Sequence, residues 1–245
     1  MLSFFKSKPL LRDLLGGNFV DIHSHLLPGI DDGAKTIDNT KMLIKSLQEL
    51  GVSQFITTPH ISHYLWDNSP STIINSCLET KQIITKENIN APLKAAAEYF
   101  MDDWFENHFK NEKLLTLKDN YVLVEMSYMN APIQLYKTLF DLQVAGYSPV
   151  LAHPERYLFY HKNFNEYDKL KKAGCRFQLN LLSVVGYYGS EINKIAEQIL
   201  KKGMYDFTGT DVHHNKHVKS FEQKVNISDV SILKEVIANN SFFKF

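Results

Sequence analysis

Two hydrophobic rhythms alternate along the chain. In the first, apolar residues recur three and four positions apart, as in Ile37, Leu43, Ile44, Leu47 and Leu50, and again in Ile192, Ile195, Ala196, Ile199 and Leu200. That spacing gathers them near one face of a helix, which can then pack on a core. In the second, short apolar runs predict strands over 19–22, 54–58, 93–98, 121–125, 148–152, 176–180 and 205–210. Four of these runs follow Gly51, Gly146, Gly174 and Gly203. A glycine there suits the left-handed turn at which a helix ends.

Strand–helix alternation argues for parallel strands, because parallel neighbours need a crossover between them. The regular count predicts an α/β fold with seven strands in a closed or nearly closed barrel. A chain of 245 residues suits one such domain. Residues 18–245 are expected to form it. Residues 1–17 are expected to be a leader helix packed on the barrel through Leu10, Leu11, Leu14 and Leu15. Residues 61–92 form a longer insertion, read mainly as a crossover helix from Ser71 to Lys86. The other reading of that insertion, which carries Tyr64 and Trp66, is a loop on the ligand side covering a substrate.

Composition narrows the function by exclusion. Lys+Arg and Asp+Glu both number 27, so no excess of basic charge predicts nucleic-acid binding. No stretch is long and apolar enough to span a bilayer, and residues 1–9 lack the apolar core of a signal peptide. Cys77 and Cys175 fit no zinc or redox spacing and read as buried core. A cytoplasmic location is expected.

Chemistry gathers where the strands stop. Six of the seven predicted strands end in His, Asp or Glu, and a barrel collects the C-terminal ends of its strands at one mouth. The first is Phe19-Val20-Asp21-Ile22-His23-Ser24-His25, followed by a Pro28-Gly29 turn into Asp31-Asp32. Residues two apart on a strand point to the same side, so His23 and His25 can grip one ion together. Each acidic or imidazole residue alone could be a helix cap, a solvated loop group or a core histidine. So many at one rim point to a multinuclear metal site.

The motifs carry a resemblance. They are Asp21-Ile22-His23-Ser24-His25-Leu26-Leu27-Pro28-Gly29-Ile30-Asp31-Asp32-Gly33-Ala34, Thr57-Thr58-Pro59-His60, Ala97-Glu98-Tyr99, Val124-Glu125-Met126, Ala152-His153-Pro154-Glu155-Arg156-Tyr157 and Gly209-Thr210-Asp211-Val212-His213. In this order they resemble the polymerase-and-histidinol-phosphatase (PHP) superfamily. Within it the chain is similar to the bacterial tyrosine-protein phosphatases of capsule and exopolysaccharide systems.

The resemblance implies a distorted seven-stranded PHP-type barrel with three divalent ions, often manganese. The implied ligands are His23, His25, Asp32, His60, Glu98, Glu125, His153, Asp211 and His213, with Glu98 as the candidate bridge. Imidazole and carboxylate without thiolate suit Mn²⁺, Fe²⁺ or Zn²⁺. Arg156 corresponds to the family's phosphate-contacting arginine. The implied reaction is hydrolysis of phosphotyrosine by a metal-bridging hydroxide, on the tail of a bacterial tyrosine kinase of polysaccharide export. Asp32 or His213 would protonate the leaving phenol.

The chain departs from the family pattern twice. Ile61 stands where members often carry a second histidine. The stretch from His214 to Lys219 lacks a further arginine, leaving Lys216 or Lys219 to supply that charge. A cysteine phosphatase would need an arginine six residues after the nucleophile, but Ile83 follows Cys77 and Leu181 follows Cys175 at that distance. Other readings are a PHP phosphoesterase acting on a small phosphomonoester such as histidinol phosphate, and a catalytically silent PHP binding module.

The remaining polar residues have plainer expectations. His63, His108, His161, His214 and His217 are expected at the periphery, Asp31 in the turn beside Asp32, and Asp102 and Asp103 at a helix start. Tyr128, Tyr157, Tyr187 and Tyr188 are expected to pack or to line a cleft.

Overall fold

A computed structural model describes residues 7–245. Its strands are β1 (Phe19–Asp21), β2 (Val52–Thr57), β3 (His60–Ile61), β4 (Leu93–Ala95), β5 (Glu98–Phe100), β6 (Tyr121–Glu125), β7 (Ser148–Ala152), β8 (Arg176–Asn180) and β9 (Phe207–Gly209). They form one sheet in the order β1-β2-β4 and a second in the order β3-β5-β6-β7-β8-β9. Every named pairing is parallel. The fold is therefore α/β with parallel sheets, as the alternation predicts.

The strand count differs from expectation. Seven were predicted and nine are present among the described residues. The predicted strand 93–98 is broken in two, and a short strand that was not predicted, β3, follows the predicted 54–58. Thr58-Pro59 separates β2 from β3, where proline offers no N–H to a ladder. Ala96-Ala97 separates β4 from β5, while Ala96 N still donates to Thr57 O at 2.9 Å and Glu98 N to Pro59 O at 3.1 Å. The chain thus steps from one sheet to the other at two neighbouring places. At the outer ends, Ser24 and Val212 form an isolated parallel bridge. His25 N donates to Val212 O at 3.0 Å and Asp211 N to His23 O at 2.7 Å.

The crossovers are helical. They are α1 (Ile37–Glu49), α2 (Pro70–Lys86), α3 (Asp103–Asn111), α4 (Leu135–Val144), α5 (Asn165–Lys172) and α6 (Ser190–Lys201), with α7 (Asn215–Lys219) and α8 (Val230–Asn239) after β9. The apolar positions that predicted α1 and α6 are largely inward: Leu43, Ile44 and Leu47 are buried on one, Ile195, Ala196 and Ile199 on the other. Caps fix the starts. The Thr36 side chain accepts from Asn39 N, Ser69 and Thr72 form a reciprocal box, and Asp102 accepts from Phe105 N. Each such cap is worth about 1 kcal/mol, and Asp102 takes the helix-start role expected of it.

The leader differs from expectation as well. Residues 1–6 of the expected leader lie outside the described part, and within residues 7–17 Arg12–Leu14 form a single 3-10 turn in place of a helix. Leu11, Leu14 and Leu15 are nevertheless buried. Gly16 and Gly17, both at positive φ, favour non-helical backbone and end the turn. Between the sheets, Val20, Ile22, Ile56, Leu123, Val150 and Phe243 share one apolar cluster. This core fills the space beneath the strand ends and leaves the polar residues above it. Among the described residues no helix is long and apolar enough to cross a membrane.

Candidate metal centre

The ends of the strands place their imidazoles and carboxylates in one depression. Glu98, the first residue of β5, is fully buried at its centre. Its Oε2 lies 3.1 Å from His23 Nε2, 3.5 Å from His25 Nε2 and 3.2 Å from His60 Nδ1, and its Oε1 lies 3.2 Å from His153 Nε2. Glu125, at the end of β6, approaches His60 Nδ1 at 2.9 Å. Asp211 Oδ1 is 3.3 Å from His23 Nε2 and 3.4 Å from His25 Nε2. Asp32 Oδ1 is 3.5 Å from His60 Nε2 and 3.3 Å from His213 Nε2.

All nine residues expected at a metal site are therefore brought together. Their donor atoms fall into four groups, each within 4.8 Å: His25, Asp32, His60 and His213; His23, Glu98 and His153; His23, His25 and Asp211; and His60, Glu98 and Glu125. His23, His25, His60 and Glu98 each belong to two groups, so the groups share walls.

Neighbouring side chains set which imidazole nitrogen faces the cluster. His23 Nδ1 meets Gln178 Oε1 at 2.8 Å, His25 Nδ1 meets Asp31 Oδ2 at 2.7 Å, and His213 Nδ1 meets Asp211 O at 2.9 Å. Each partner is an acceptor, so each Nδ1 carries the proton. That leaves the Nε2 lone pair of all three directed inward, the arrangement a ligating histidine needs. Asp31 has a second task, accepting from Gly33 N at 2.9 Å to shape the turn. The turn role of Asp31 is the one expected of it; Gln178 and the Asp31 bond to His25 escaped the sequence reading. The only sequence signal for Gln178 is a polar residue inside an apolar strand.

Backbone strain also concentrates here. His153 and Asp211 have φ of 36° and 49°, in the left-handed region that L residues avoid at a cost of roughly 1–2 kcal/mol. Bonds from His153 N to Gln178 O and from Asp211 N to His23 O hold them there. Two glycines permit close approach. A Cβ on Gly33 would lie 2.2 Å from His25 O, and one on Gly209 would lie 2.6 Å from His23 Cβ.

The electrostatics follow from this crowding. Burial opposes ionisation of Glu98, yet the facing His23 and His60 hold its carboxyl well below the usual carboxylate range. Burial likewise opposes protonation of His60, yet Glu125 and Glu98 push it up to about 9. Asp211 is held low by His23 and His213 against its own burial. Despite the short approaches, both oxygens of Glu98, His60 Nδ1 and His153 Nδ1 are buried without a partner in hydrogen-bond geometry among the described residues. Unpartnered buried carboxylate oxygens cost several kcal/mol, and divalent cations held by mixed O and N ligands remove that cost. The residues present thus fit a metal group.

Arg156 lies at the edge of the cluster, its Nη1 donating to Asp211 Oδ2 at 2.8 Å. It is carried on the 3-10 turn Pro154–Arg156 directly after His153. Glu155 in the same turn points away and is fully buried, accepting from Ser183 Oγ at 2.7 Å, Tyr205 Oη at 2.9 Å and Asn180 N at 3.0 Å. It ties the turn to the following strand. A cavity of about 220 Å³ opens over the cluster, walled by Leu65, Trp66, Phe100, Met126 and Tyr128 and floored by His60, Glu98, His153 and Arg156.

The expected departures also find places. Ile61 is buried beside the cluster and adds no donor. Lys216 and Lys219 sit on α7 and do not line the cavity. His217 donates no ligand atom to the groups but accepts from His213 N at 3.2 Å. His63 and His108 each stack on Trp104, at 5.8 and 4.3 Å, and belong to none of the metal groups. The two cysteines are buried and unpaired.

Comparison with known proteins agrees with this geometry. The family described as "Capsular polysaccharide synthesis, CpsB/CapC" matches residues 19–226. Tyrosine-protein phosphatase YwqE of Bacillus subtilis is 27% identical over 198 residues, covering 80% of this chain and 78% of that protein. Tyrosine-protein phosphatase CpsB of Streptococcus pneumoniae is 27% identical over 202 residues, covering 80% and 83%. A solved structure described as belonging to "YwqE from Bacillus subtilis and CpsB from Streptococcus pneumoniae, unique metal-dependent tyrosine phosphatases" superposes with a TM-score of 0.80 at 24% identity. It covers 91% of this chain and 93% of its own.

Proposed function

The chain belongs to the CpsB/CapC family of capsular polysaccharide synthesis, and we propose that it is a metal-dependent protein-tyrosine phosphatase. One observation carries the reading: nine imidazole and carboxylate residues from distant segments converge beneath a cavity whose edge holds one arginine. The curated relatives named as tyrosine-protein phosphatases support it.

The metal assignment proposed is three divalent ions, manganese first, with iron or zinc as substitutes. His23, His25, Asp32, His60, Glu98, Glu125, His153, Asp211 and His213 would hold them, with Glu98, faced by four imidazoles, at their centre. When bound, such ions supply Lewis acidity toward a phosphoryl group and lower the pKa of water.

The chain's own residues do the rest. Arg156 binds non-bridging phosphoryl oxygens and balances their charge. Leu65, Trp66, Phe100 and Met126 give the aryl group an apolar wall and exclude water. Asp32 or His213, 3.3 Å apart at the mouth, would pass a proton to the leaving phenolate from whichever of the two is not held by metal. A phenol with a pKa of about 10 departs more readily than an alkoxide and needs less help. The substrate we assign is the phosphorylated tail of a bacterial tyrosine kinase in polysaccharide export, met in the cytoplasm.

The architecture we read beneath this site is a distorted seven-stranded barrel spanning residues 18–245, with the described part of the leader, residues 7–17, packed on it. Counting β2 with β3 and β4 with β5 yields seven strands, and the Ser24–Val212 bridge supports closure between first and last.

The test is direct. Protein loaded with Mn²⁺ is expected to release phosphate from phosphotyrosine peptides and to stop when a chelator removes the metal. Undiminished turnover after complete chelation, or turnover confined to histidinol phosphate, would overturn the assignment.

A further inference from the structure

Among the residues lining the cavity, Arg156 is the one lysine or arginine. A lone cation that must grip an oxyanion gains from being fixed in advance, since ordering a long side chain on binding costs affinity. The guanidinium is fixed on three sides. Its Cζ lies 4.8 Å from the ring centroid of Tyr128 and 4.3 Å from that of Tyr188. Its Nη1 is engaged by Asp211. Both rings are within the range of favourable cation–π contact.

The two rings come from separate parts of the fold. Tyr128 follows β6, and Tyr188 lies between the turn at Leu181–Val185 and α6. Each ring is itself held. Tyr128 packs at 5.8 Å from His153 and 5.8 Å from Tyr157. The Tyr188 hydroxyl accepts from Asn180 Nδ2 at 3.1 Å, and that amide also donates to Asp211 Oδ2 at 2.8 Å. Asp211 therefore receives Arg156 and Asn180 on the same oxygen, while its other oxygen faces the imidazoles. With two rings against the guanidinium and Nη1 engaged by Asp211, Nη2 and Nε make no hydrogen bond among the described residues and remain for an incoming oxyanion.

We propose that Tyr128 and Tyr188 are positioning residues that clamp the Arg156 guanidinium in the orientation that receives phosphoryl oxygens. The identity of that oxyanion rests on the phosphatase reading; the clamp itself rests on the stacking. The aromatic faces are what the clamp requires, and the hydroxyls contribute less.

Four variants separate these features: Tyr128→Leu and Tyr188→Leu remove a ring, while Tyr128→Phe and Tyr188→Phe keep it. Two readouts use protein loaded with Zn²⁺, a diamagnetic ion. Calorimetry with inorganic phosphate is expected to show about tenfold weaker binding for each leucine variant and less than about threefold for each phenylalanine variant. Metal stoichiometry stays unchanged. NMR of the Arg156 Nε–Hε pair, assigned with Arg156→Lys, is expected to show a ring-current upfield shift that phenylalanine keeps and leucine loses.

Phosphate binding unaltered in both leucine variants would overturn the proposal. So would loss of metal with Tyr188→Leu, which would assign that ring to the ligand cluster. A raised KM for phosphotyrosine peptide with unchanged phosphate affinity would make Tyr128 a reader of the aryl group. If a leucine variant fails to fold, the wild-type Arg156 resonance decides alone, and an unshifted line sinks the clamp. Leucine-specific loss of phosphate affinity in a protein inactive on phosphotyrosine would remove the phosphatase reading and leave the clamp standing.

Discussion

His25 donates through Nδ1 to Asp31 Oδ2 at 2.7 Å, and both side chains are buried. Asp31 is one residue from Asp32, yet the two point to different tasks. Asp32 faces His60 and His213 at the mouth, while Asp31 stands behind His25 and fixes its tautomer.

Asp31→Asn is therefore expected to weaken metal binding without removing a ligand. An amide can turn its NH₂ toward Nδ1 and force the proton to Nε2, closing the lone pair that faces the cluster. Losses of about 10–100-fold in metal affinity are usual for such outer partners. Competition titration with a chromophoric chelator measures the change. Wild-type affinity in the variant would show that the Asp31 bond does not set the tautomer.

Most of the candidate ligands were legible because they follow apolar runs whose ends share one mouth, and the full set of nine came from the family resemblance of the motifs. What holds them was not. Gln178 is a polar residue in a strand, Glu155 is one acidic residue among many, and Tyr188 is one aromatic in a loop. Their roles arise from partners 155, 28 and 32 positions away in sequence, and no local pattern carries that pairing. The breaks at Thr58-Pro59 and Ala96-Ala97 escaped for a related reason. The apolar run continues through Ala96-Ala97 and so reads as one strand, whereas the step between sheets is a tertiary demand.

Thiol chemistry is expected to be irrelevant to turnover. Cys175 is buried among apolar groups, which pushes its thiol up to about 12, and burial raises Cys77 as well. A thiol so protonated is a poor nucleophile. Native protein is expected to react slowly with a disulfide reagent, and Cys77→Ser and Cys175→Ser each to keep activity within about twofold per folded molecule, since neither thiol lines the cavity and exposed or core swaps of this size mainly affect stability. Inactivation that tracks modification of one thiol would contradict the metal-based reading.

Gly33 closes the turn against the first ligand pair. A methyl group there would sit 2.2 Å from His25 O and 2.4 Å from His25 Cβ. Neither atom can yield without moving the backbone that carries His25. Gly33→Ala is expected to lower stability by about 1–3 kcal/mol, the usual cost of overpacking, and to reduce metal affinity with it. Thermal unfolding with and without metal separates the two effects. An alanine variant as stable as wild type with full metal content would show that the loop relaxes freely.

Glu197 links α6 to the segment before α8 and makes stability depend on pH away from the metal site. Its Oε1 accepts from Ser228 N at 2.7 Å and lies 3.1 Å from Lys201 Nζ. The Ser228 bond, with Lys201 adding to it, lowers the carboxyl from 4.5 to about 2. A folded pKa below the unfolded one means that the unfolded chain binds the proton more readily. The contribution is thus complete above about pH 4.5 and is lost as pH falls toward 2. The side chain is 24% exposed, so after solvent screening the effect is roughly 1 kcal/mol. Glu197→Gln in metal-free protein should unfold at lower denaturant concentration than wild type at pH 7, and the gap should shrink to about half by pH 3. A gap that stays constant between pH 7 and pH 3 would mean that the amide's loss is one of packing, with ionisation playing no part.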